Sequence, residues 1–370
     1  MSKKVLIIDD SALMRRVISD IINSTEQYEV VEIARDGLAG FNLIVTNPHL
    51  YDVILLDINM PNMNGLELLE RLNKSRIKQT IIVVSTVAKQ GAKETIEALE
   101  LGAFDFLTKP ENYLEVKSDS FKNKLINMLD VATNSTANTP RIIKRTDSRL
   151  DLNSHTVKTE RTVATIRNDK PVSKCTKGRG KLVALACSTG GPKSLQSVIP
   201  KLPKNMAAPM LIVQHMPAGF TASLAKRLDD FSEVTVKEAE DGEILKNGCV
   251  YVAPGGRHLK VKKTFSGHCI EISDELPRNS LRPCADIMYE SLADCDYGDI
   301  TCVVMTGMGN DGTEGIKKLA DSKYVEVIAQ DKTSSIVYGM PKAIYDAGMT
   351  NVVVPLDDIA SEIIKNVGVS

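Results

Sequence analysis

The sequence predicts two doubly wound α/β domains joined by a basic tether, and three observations lead there. Short Val-, Ile- and Leu-rich runs without period-two alternation recur at both ends of the chain, as strands buried on both faces of a parallel sheet require. Amphipathic helical stretches lie between most of these runs, the βαβ rhythm of a parallel sheet covered by helices. A Ser-, Thr- and Asn-rich stretch interrupts the rhythm once. With 370 residues, at about 150 per domain, the chain can enclose two hydrophobic cores.

Residues 1–132 carry the first set of strands: Val5–Ile8, Val30–Ala34, Val53–Leu56, Ile81–Val84 and Asp105–Thr108. Helical spacing between them is clearest at Leu66–Leu72 and Thr95–Leu101. Five βα units in this length predict a five-stranded parallel sheet of flavodoxin-like size. Residues 133–180 lack Phe, Tyr and Trp and carry 11 Lys or Arg against 4 Asp or Glu. Such a stretch cannot bury enough apolar surface to offset its ordering entropy, so a flexible linker is expected. Residues 181–370 resume the alternation with Lys181–Ala186, Met210–Val213, Val250–Ala253, Ile300–Met305, Val325–Ile328 and Val352–Val354. Over 232–272 strand runs follow one another without a helix, which predicts an antiparallel hairpin portion in a mainly parallel domain.

Composition removes several functions. Lys plus Arg (46) balances Asp plus Glu (47), and residues 181–370 carry 20 basic against 24 acidic side chains. That is not the positive field of a nucleic-acid binder, so a DNA-binding output is disfavoured. No Trp and 4% aromatics argue against base-stacking or sugar-stacking clefts. The apolar run after Lys4 is too short for a signal peptide, and nothing approaches the roughly 18 apolar residues of a membrane span. Seven cysteines without a C-x-x-C spacing read as reduced thiols. A cytoplasmic, monomeric protein is expected.

In open α/β sheets the chemistry collects at the carboxyl ends of strands. In the first region those ends carry Asp9-Asp10, Asp57, Ser85 and Lys109. Converging carboxylates raise one another's pKa unless a cation neutralises them, and an all-oxygen donor set suits Mg²⁺. A carboxylate nucleophile, a divalent cation, a lysine and a hydroxyl are the parts of a phosphoryl-accepting site. One strand-end Asp would be ordinary turn chemistry, but the full set is not. Through Ile7-Ile8-Asp9-Asp10-Ser11, Asp57-Ile58-Asn59-Met60-Pro61, Gly65-Leu66 and Thr108-Lys109-Pro110, residues 3–130 resemble the response-regulator receiver domain. The resemblance implies Asp57 as phosphoacceptor, with Mg²⁺ held by Asp9, Asp10, Asp57 and the Asn59 backbone carbonyl. It implies Ser85 as switch hydroxyl, with Thr86 beside it, and Lys109 on the phosphoryl group. A cis Lys109-Pro110 bond belongs to the same expectation.

In the second region, Lys181–Ala186 runs into Cys187-Ser188-Thr189-Gly190-Gly191-Pro192, and Pro at the first helical position marks a helix start. Ser188 therefore sits on a tight strand-to-helix turn whose amides can stabilise a negative oxygen. A nucleophile elbow and a phosphate-binding turn would both look this way, and G-x-S-x-G fails because Ala186 takes its first position. A serine nucleophile needs a base. Of five histidines, His49 lies in the first domain, His155 in the linker, and His268 in a polar strand pattern expected to be exposed. His215 follows the run Met210–Val213 and so shares the edge with Ser188; His258, after Gly256-Arg257, remains a binding candidate. The third edge carries Thr306-Gly307-Met308-Gly309-Asn310-Asp311-Gly312, where Asp311 is either an N-cap or the carboxylate that orients His215.

Together with Gln214-His215-Met216-Pro217, Phe220-Thr221, Glu238-Ala239-Glu240-Asp241-Gly242, Ala253-Pro254-Gly255 and Arg282-Pro283, these motifs make residues 181–366 resemble the catalytic domain of the chemotaxis protein-glutamate methylesterases. The resemblance implies Ser188 as nucleophile, His215 as base and Asp311 as orienting carboxylate. Thr189, Gly190, Met308, Arg257 and His258 become oxyanion or binding candidates, and the hydrolase site needs no cofactor. Methyl-accepting chemoreceptors would be the substrate and a chemotaxis histidine kinase the phosphodonor. Cys187 stands where the family usually has Ala, implying thiol sensitivity, and Gly256 stands where Asp is common. A receiver controlling an esterase for a small-molecule ester, and a non-catalytic signalling adaptor, are the competing readings.

Overall fold

The computed structural model describes residues 2–86, 89–110, 119–135, 166–167, 172–173, 175, 178, 180–265 and 267–369. His155 and most of the 133–180 segment lie outside these residues. Strands β1 (Lys3–Ile8), β2 (Tyr28–Ala34), β3 (Val53–Asp57), β4 (Ile81–Ser85) and β5 (Asp105–Thr108) form one parallel sheet in the order β2-β1-β3-β4-β5. β3 and β4 are buried at every position, which accounts for their unbroken apolar sequence. Three helices of this region start where side chains supply caps. Ser11 accepts from Met14 N, Asp36 from Ala39 N, and Asn64 forms a capping box with Glu67. The helix Asp119–Ser135 covers the β5 side of the sheet and buries Phe121, Leu125 and Leu129.

The second sheet takes β6 (Ile166–Arg167), β7 (Lys181–Cys187), β8 (Met210–Gln214), β9 (Thr235–Glu238), β10 (Cys249–Val252), β13 (Asp299–Val304), β14 (Tyr324–Gln330) and β15 (Val352–Val354). Their order is β6-β15-β14-β13-β7-β8-β10-β9, with β6 antiparallel and the others parallel. β11 (His258–Thr264) and β12 (Gly267–Ser273) form a separate antiparallel ribbon. The antiparallel portion is thus narrower than the 232–272 expected. β9 and β10 join the main sheet in parallel through a crossover that contains no helix, and so left no helical signal. Ile166–Arg167, inside the basic segment, pairs with Val352–Val353 as an edge strand.

β7 is the first full strand of this sheet and lies at its centre, flanked by β8 and β13. The chain winds outward from it in both directions. The crevice at the carboxyl ends of β7, β8 and β13 is the topological switch point, where ligands bind in such folds.

Candidate functional site

Ser188 follows β7 directly and its amide donates to Thr306 O at 3.0 Å, which ties the turn to the end of β13. The Thr306 hydroxyl donates to Thr189 O at 3.0 Å from the same side. The helix Gly191–Val198 begins behind an N-cap Gly190 at φ 75°, with Pro192 in its first turn. A Cβ on Gly307 would lie 2.8 Å from Ser188 Cβ, so only glycine lets the β13 loop pass this close to the serine.

His215 follows β8, and its Nε2 lies 2.7 Å from Asp311 Oδ2. Asp311 does not cap the helix Thr313–Ser322, whose N-cap is Gly312. It caps another helix, Ala285–Ser291, by accepting from Ala285 N at 2.6 Å and Asp286 N at 3.0 Å, and it also accepts from Cys284 Sγ at 3.1 Å. Asp286 returns the arrangement, accepting from Gly312 N at 3.0 Å and Gly315 N at 2.6 Å. Burial alone would raise the Asp311 pKa, but the His215 hydrogen bond and charge, with the two amides, bring it down to about 2. The carboxylate therefore stays ionised beside the imidazole.

Ser188 and His215 both line a cavity of about 260 Å³ together with Thr189, Gln214 and Met308. Among the described residues no hydrogen bond joins the Ser188 hydroxyl to the imidazole. Such bonds are often loose before substrate binds. With Nε2 committed to Asp311, Nδ1 is the nitrogen left for proton transfer.

Other candidates lie elsewhere. Arg257 makes a two-point ion pair with Asp274, donating from Nε at 2.8 Å and Nη2 at 2.6 Å, and neither it nor His258 lines the cavity. His258 is buried at the base of the β11–β12 ribbon, against Leu276 O at 3.2 Å. His268 is 13% exposed rather than open to solvent, because its Nε2 accepts from Asp296 N and its ring lies against Tyr297. Cys187 is fully buried and burial pushes its thiol pKa far up, so its sulfur is not presented to solvent.

The far wall of the cavity comes from the first domain: Asp105, Phe106, Leu107 and Thr108 of β5, with Lys124 and Met128 of the following helix. Asp105 Oδ2 accepts from Gly190 N at 3.3 Å, and Phe106 stacks on Phe220 with ring centroids 4.7 Å apart. Glu100 accepts from Arg227 through both carboxylate oxygens and from Gln196 at 3.2 Å. Burial pushes the Asp105 carboxyl up to about 6, against the lowering effect of the Phe106 and Gly190 amides and the Thr189 side chain.

At the carboxyl end of the first sheet, Asp57 and Asp9 are buried and Asp10 is exposed. Ligand oxygens of the three lie within 4.8 Å of one another. Lys109 Nζ stands 2.6 Å from Asp57 Oδ2 and 2.9 Å from Asp9 Oδ2. The Asp9 contact is an ion pair only, since its buried Oδ2 receives no hydrogen bond of sound geometry. Burial and the neighbouring Asp9 charge raise the Asp57 pKa although Lys109 pulls it down. Three carboxylates converging as an all-oxygen donor set fit a hard divalent cation such as Mg²⁺. Ser85 is buried at the end of β4, and the exposed Thr86 follows it. Asn59 donates from its side chain to Glu94 at 3.1 Å. The cis X-Pro bond among the described residues is Arg282-Pro283, not Lys109-Pro110.

Two protein families match the chain in successive segments. Residues 183–363 match the CheB methylesterase family and residues 5–118 the response regulator receiver domain. Protein-glutamate methylesterase/protein-glutamine glutaminase 1 of Syntrophomonas wolfei is 41% identical, over 98% of this chain and 99% of its own. The Bacillus subtilis protein-glutamate methylesterase/protein-glutamine glutaminase is 40% identical over 97% of each chain. The chain belongs to this methylesterase family. The crystal structure of the Thermotoga maritima CheB methylesterase catalytic domain is 43% identical, covering 51% of this chain and 99% of that one, with a TM-score of 0.48.

Sequence reasoning missed Gln214, Thr306, Asp286 and Asp105 as members of the site. Three of them are strand-end or helix-start polar residues that turned out buried, and each had the turn or capping explanation available. Asp105 was hidden because its partner lies on the other domain.

Proposed function

We propose that the chain is a phosphorylation-activated protein-glutamate methylesterase. It hydrolyses glutamate γ-methyl esters of methyl-accepting chemoreceptors, releasing methanol, and deamidates receptor glutamines. The observation that carries this reading is that Ser188 and His215, after the adjacent strands β7 and β8, line one cavity, with a 2.7 Å bond from His215 to Asp311. In this mechanism Ser188 Oγ attacks the ester carbonyl and His215 Nδ1 takes its proton. Asp311 holds the ring and stabilises the imidazolium, which then returns the proton to the leaving methoxide. Amides of the Thr189–Gly190 turn and of Met308 are the candidates for the oxyanion. Water hydrolyses the resulting ester of Ser188 by the same steps in reverse. Methanol release from methylated receptor membranes tests the reading: Ser188→Ala should lose several powers of ten in kcat, and an unchanged rate would overturn it.

The functional division we assign is 1–132 as receiver, 133–180 as linker and 181–370 as catalytic domain. Asp57 is the phosphoacceptor, supplied by a chemotaxis histidine kinase. Mg²⁺ would be held by Asp9, Asp10, Asp57 and the Asn59 carbonyl, and would neutralise the charge of the incoming phosphoryl group. Lys109 and Ser85 would hold its oxygens. The docked receiver keeps the catalytic crevice closed, since Asp105 occupies the Gly190 amide beside Ser188. Phosphorylation loosens that docking, and a tenfold activation needs only about 1.4 kcal/mol of difference between the two arrangements. No described helix is long and apolar enough to cross a membrane. We take the protein to be cytoplasmic and monomeric.

A further inference from the structure

β7 and β8 end their pairing at Cys187 and Gln214, one residue before Ser188 and His215. The last backbone bond between the two segments runs from His215 N to Cys187 O at 3.2 Å. Beyond it the spacing of nucleophile and base would depend on two loops. The Gln214 side chain fills that gap. Its Nε2 donates to Ser188 O at 3.0 Å and to His215 O at 3.2 Å, while its Oε1 accepts from Cys187 Sγ at 3.0 Å. Gln214 is 2% exposed, and a Cβ on Gly191 would fall 2.0 Å from Oε1, so the first turn of the helix after β7 packs directly on it. Its orientation is fixed by chemistry: reversed, its oxygen would face two carbonyl oxygens and its nitrogen would lose both acceptors.

We propose that Gln214 is a positioning residue for the hydrolase, a brace whose amide sets the distance between the Ser188 and His215 backbones. Cys187 supplies the donor its oxygen needs. This rests on the assignment of Ser188 and His215 given above. Misplacement of a nucleophile by about 1 Å can cost ~100-fold in rate, which sets the scale of the effect.

Two full-length variants test it, each read by methanol release from methylated receptor membranes and by the rate at which a fluorophosphonate reagent acylates Ser188. Gln214→Leu keeps the volume and removes both donors. It should lower kcat and the acylation rate by about 100-fold while KM stays within about twofold. Gln214→Glu keeps the shape but, ionised, points a carboxylate at two carbonyl oxygens. Once protonated it donates to one of them again. Its activity relative to wild type should therefore recover as pH falls from 8 to 6, a dependence that a loss of packing would not produce. Acylation and kcat within threefold of wild type in Gln214→Leu would overturn the proposal. So would a Gln214→Glu ratio that is flat with pH, which also decides the matter should the Leu variant fail to fold. If wild type labels at Ser188 yet releases no methanol, the substrate reading fails while the brace is still tested by labelling alone.

Discussion

The two crevices of this molecule are built alike and charged oppositely in effect. Each lies at the switch point of a parallel sheet, and each is organised around a buried aspartate. Asp57 has its pKa raised, by burial and by Asp9 beside it, with Lys109 as the only charge pulling the other way. Asp311 has its pKa lowered to about 2, because the His215 bond and two backbone amides outweigh the same burial. At Asp57 burial outweighs the Lys109 contact, so the charged form is held less firmly, as the proposed phosphoacceptor role requires. A carboxylate among donors is held in its ionised form, and in the proposed mechanism it is the fixed charge against which the imidazolium forms. Residue type and burial are shared; the difference lies in the neighbours.

The largest way to break this contrast is to neutralise the fixed charge. Asp311→Asn should reduce methanol release by about 10³- to 10⁴-fold, since the neutral amide no longer stabilises the imidazolium and can turn its NH₂ to the ring, favouring the wrong tautomer. A change below tenfold would mean that the fixed charge is not part of the mechanism. The same substitution should alter acid stability. Asp311 binds protons less tightly folded than unfolded, so its contribution is complete above its ordinary 3.8 and is lost as pH falls toward about 2. Wild type should lose stability steeply across that window in urea titrations at successive pH, and the Asn variant less steeply.

What was legible beforehand divides along the same line. Ser188, His215, Asp57, Asp9 and Lys109 end apolar strands, and the rule that parallel strands present chemistry at their carboxyl ends finds them without any knowledge of contacts. Asp311 was visible as a helix-start acid, but not as the cap of Ala285–Ser291, a helix that precedes it in sequence and meets it only in space. The β9–β10 crossover was misjudged because it contains no helix. Gln214 and Asp105 act through cross-strand and cross-domain contacts, and nothing in local spacing marks a buried amide as a brace. Periodicity encodes which face is buried. It is silent on which distant atom will lie there.

The receiving site is tested next. Asp57→Asn with acetyl phosphate and Mg²⁺ should stay at basal activity, forfeiting an activation of about tenfold or more, and removing Mg²⁺ from wild type should do the same without lowering the basal rate. Activation of the Asn variant would show that the receiving carboxylate lies elsewhere. A smaller effect is expected at the seam between the domains. Arg227→Ala removes a two-point pair with Glu100 that is partly open to solvent, and should raise the unphosphorylated rate about three- to fivefold. A rate unchanged in this variant would separate the Arg227–Glu100 contact from the control of the active site.

The smallest effect concerns the buried carboxylate at the start of β5, on the seam between the domains. Asp105 is pressed between the domains with its pKa raised from 3.8 to about 6, so it binds protons more tightly in the docked arrangement than a solvated aspartate does. Its neutral form therefore favours docking fully below about 4, and that advantage is lost as pH rises through about 6. At neutral pH a buried charge opposes the very contact it helps to form, which leaves the seam easily released. Asp105→Asn keeps an acceptor for Gly190 N and removes the charge. The unphosphorylated rate of that variant should fall about two- to fivefold below wild type at pH 7.5, and the two should converge near pH 5, where wild type is itself protonated. Fully phosphorylated chains should show almost no difference between the two at either pH. A faster rate in the Asn variant would mean that the ionised carboxylate holds the crevice shut, so that the Gly190 amide outweighs the cost of burying it.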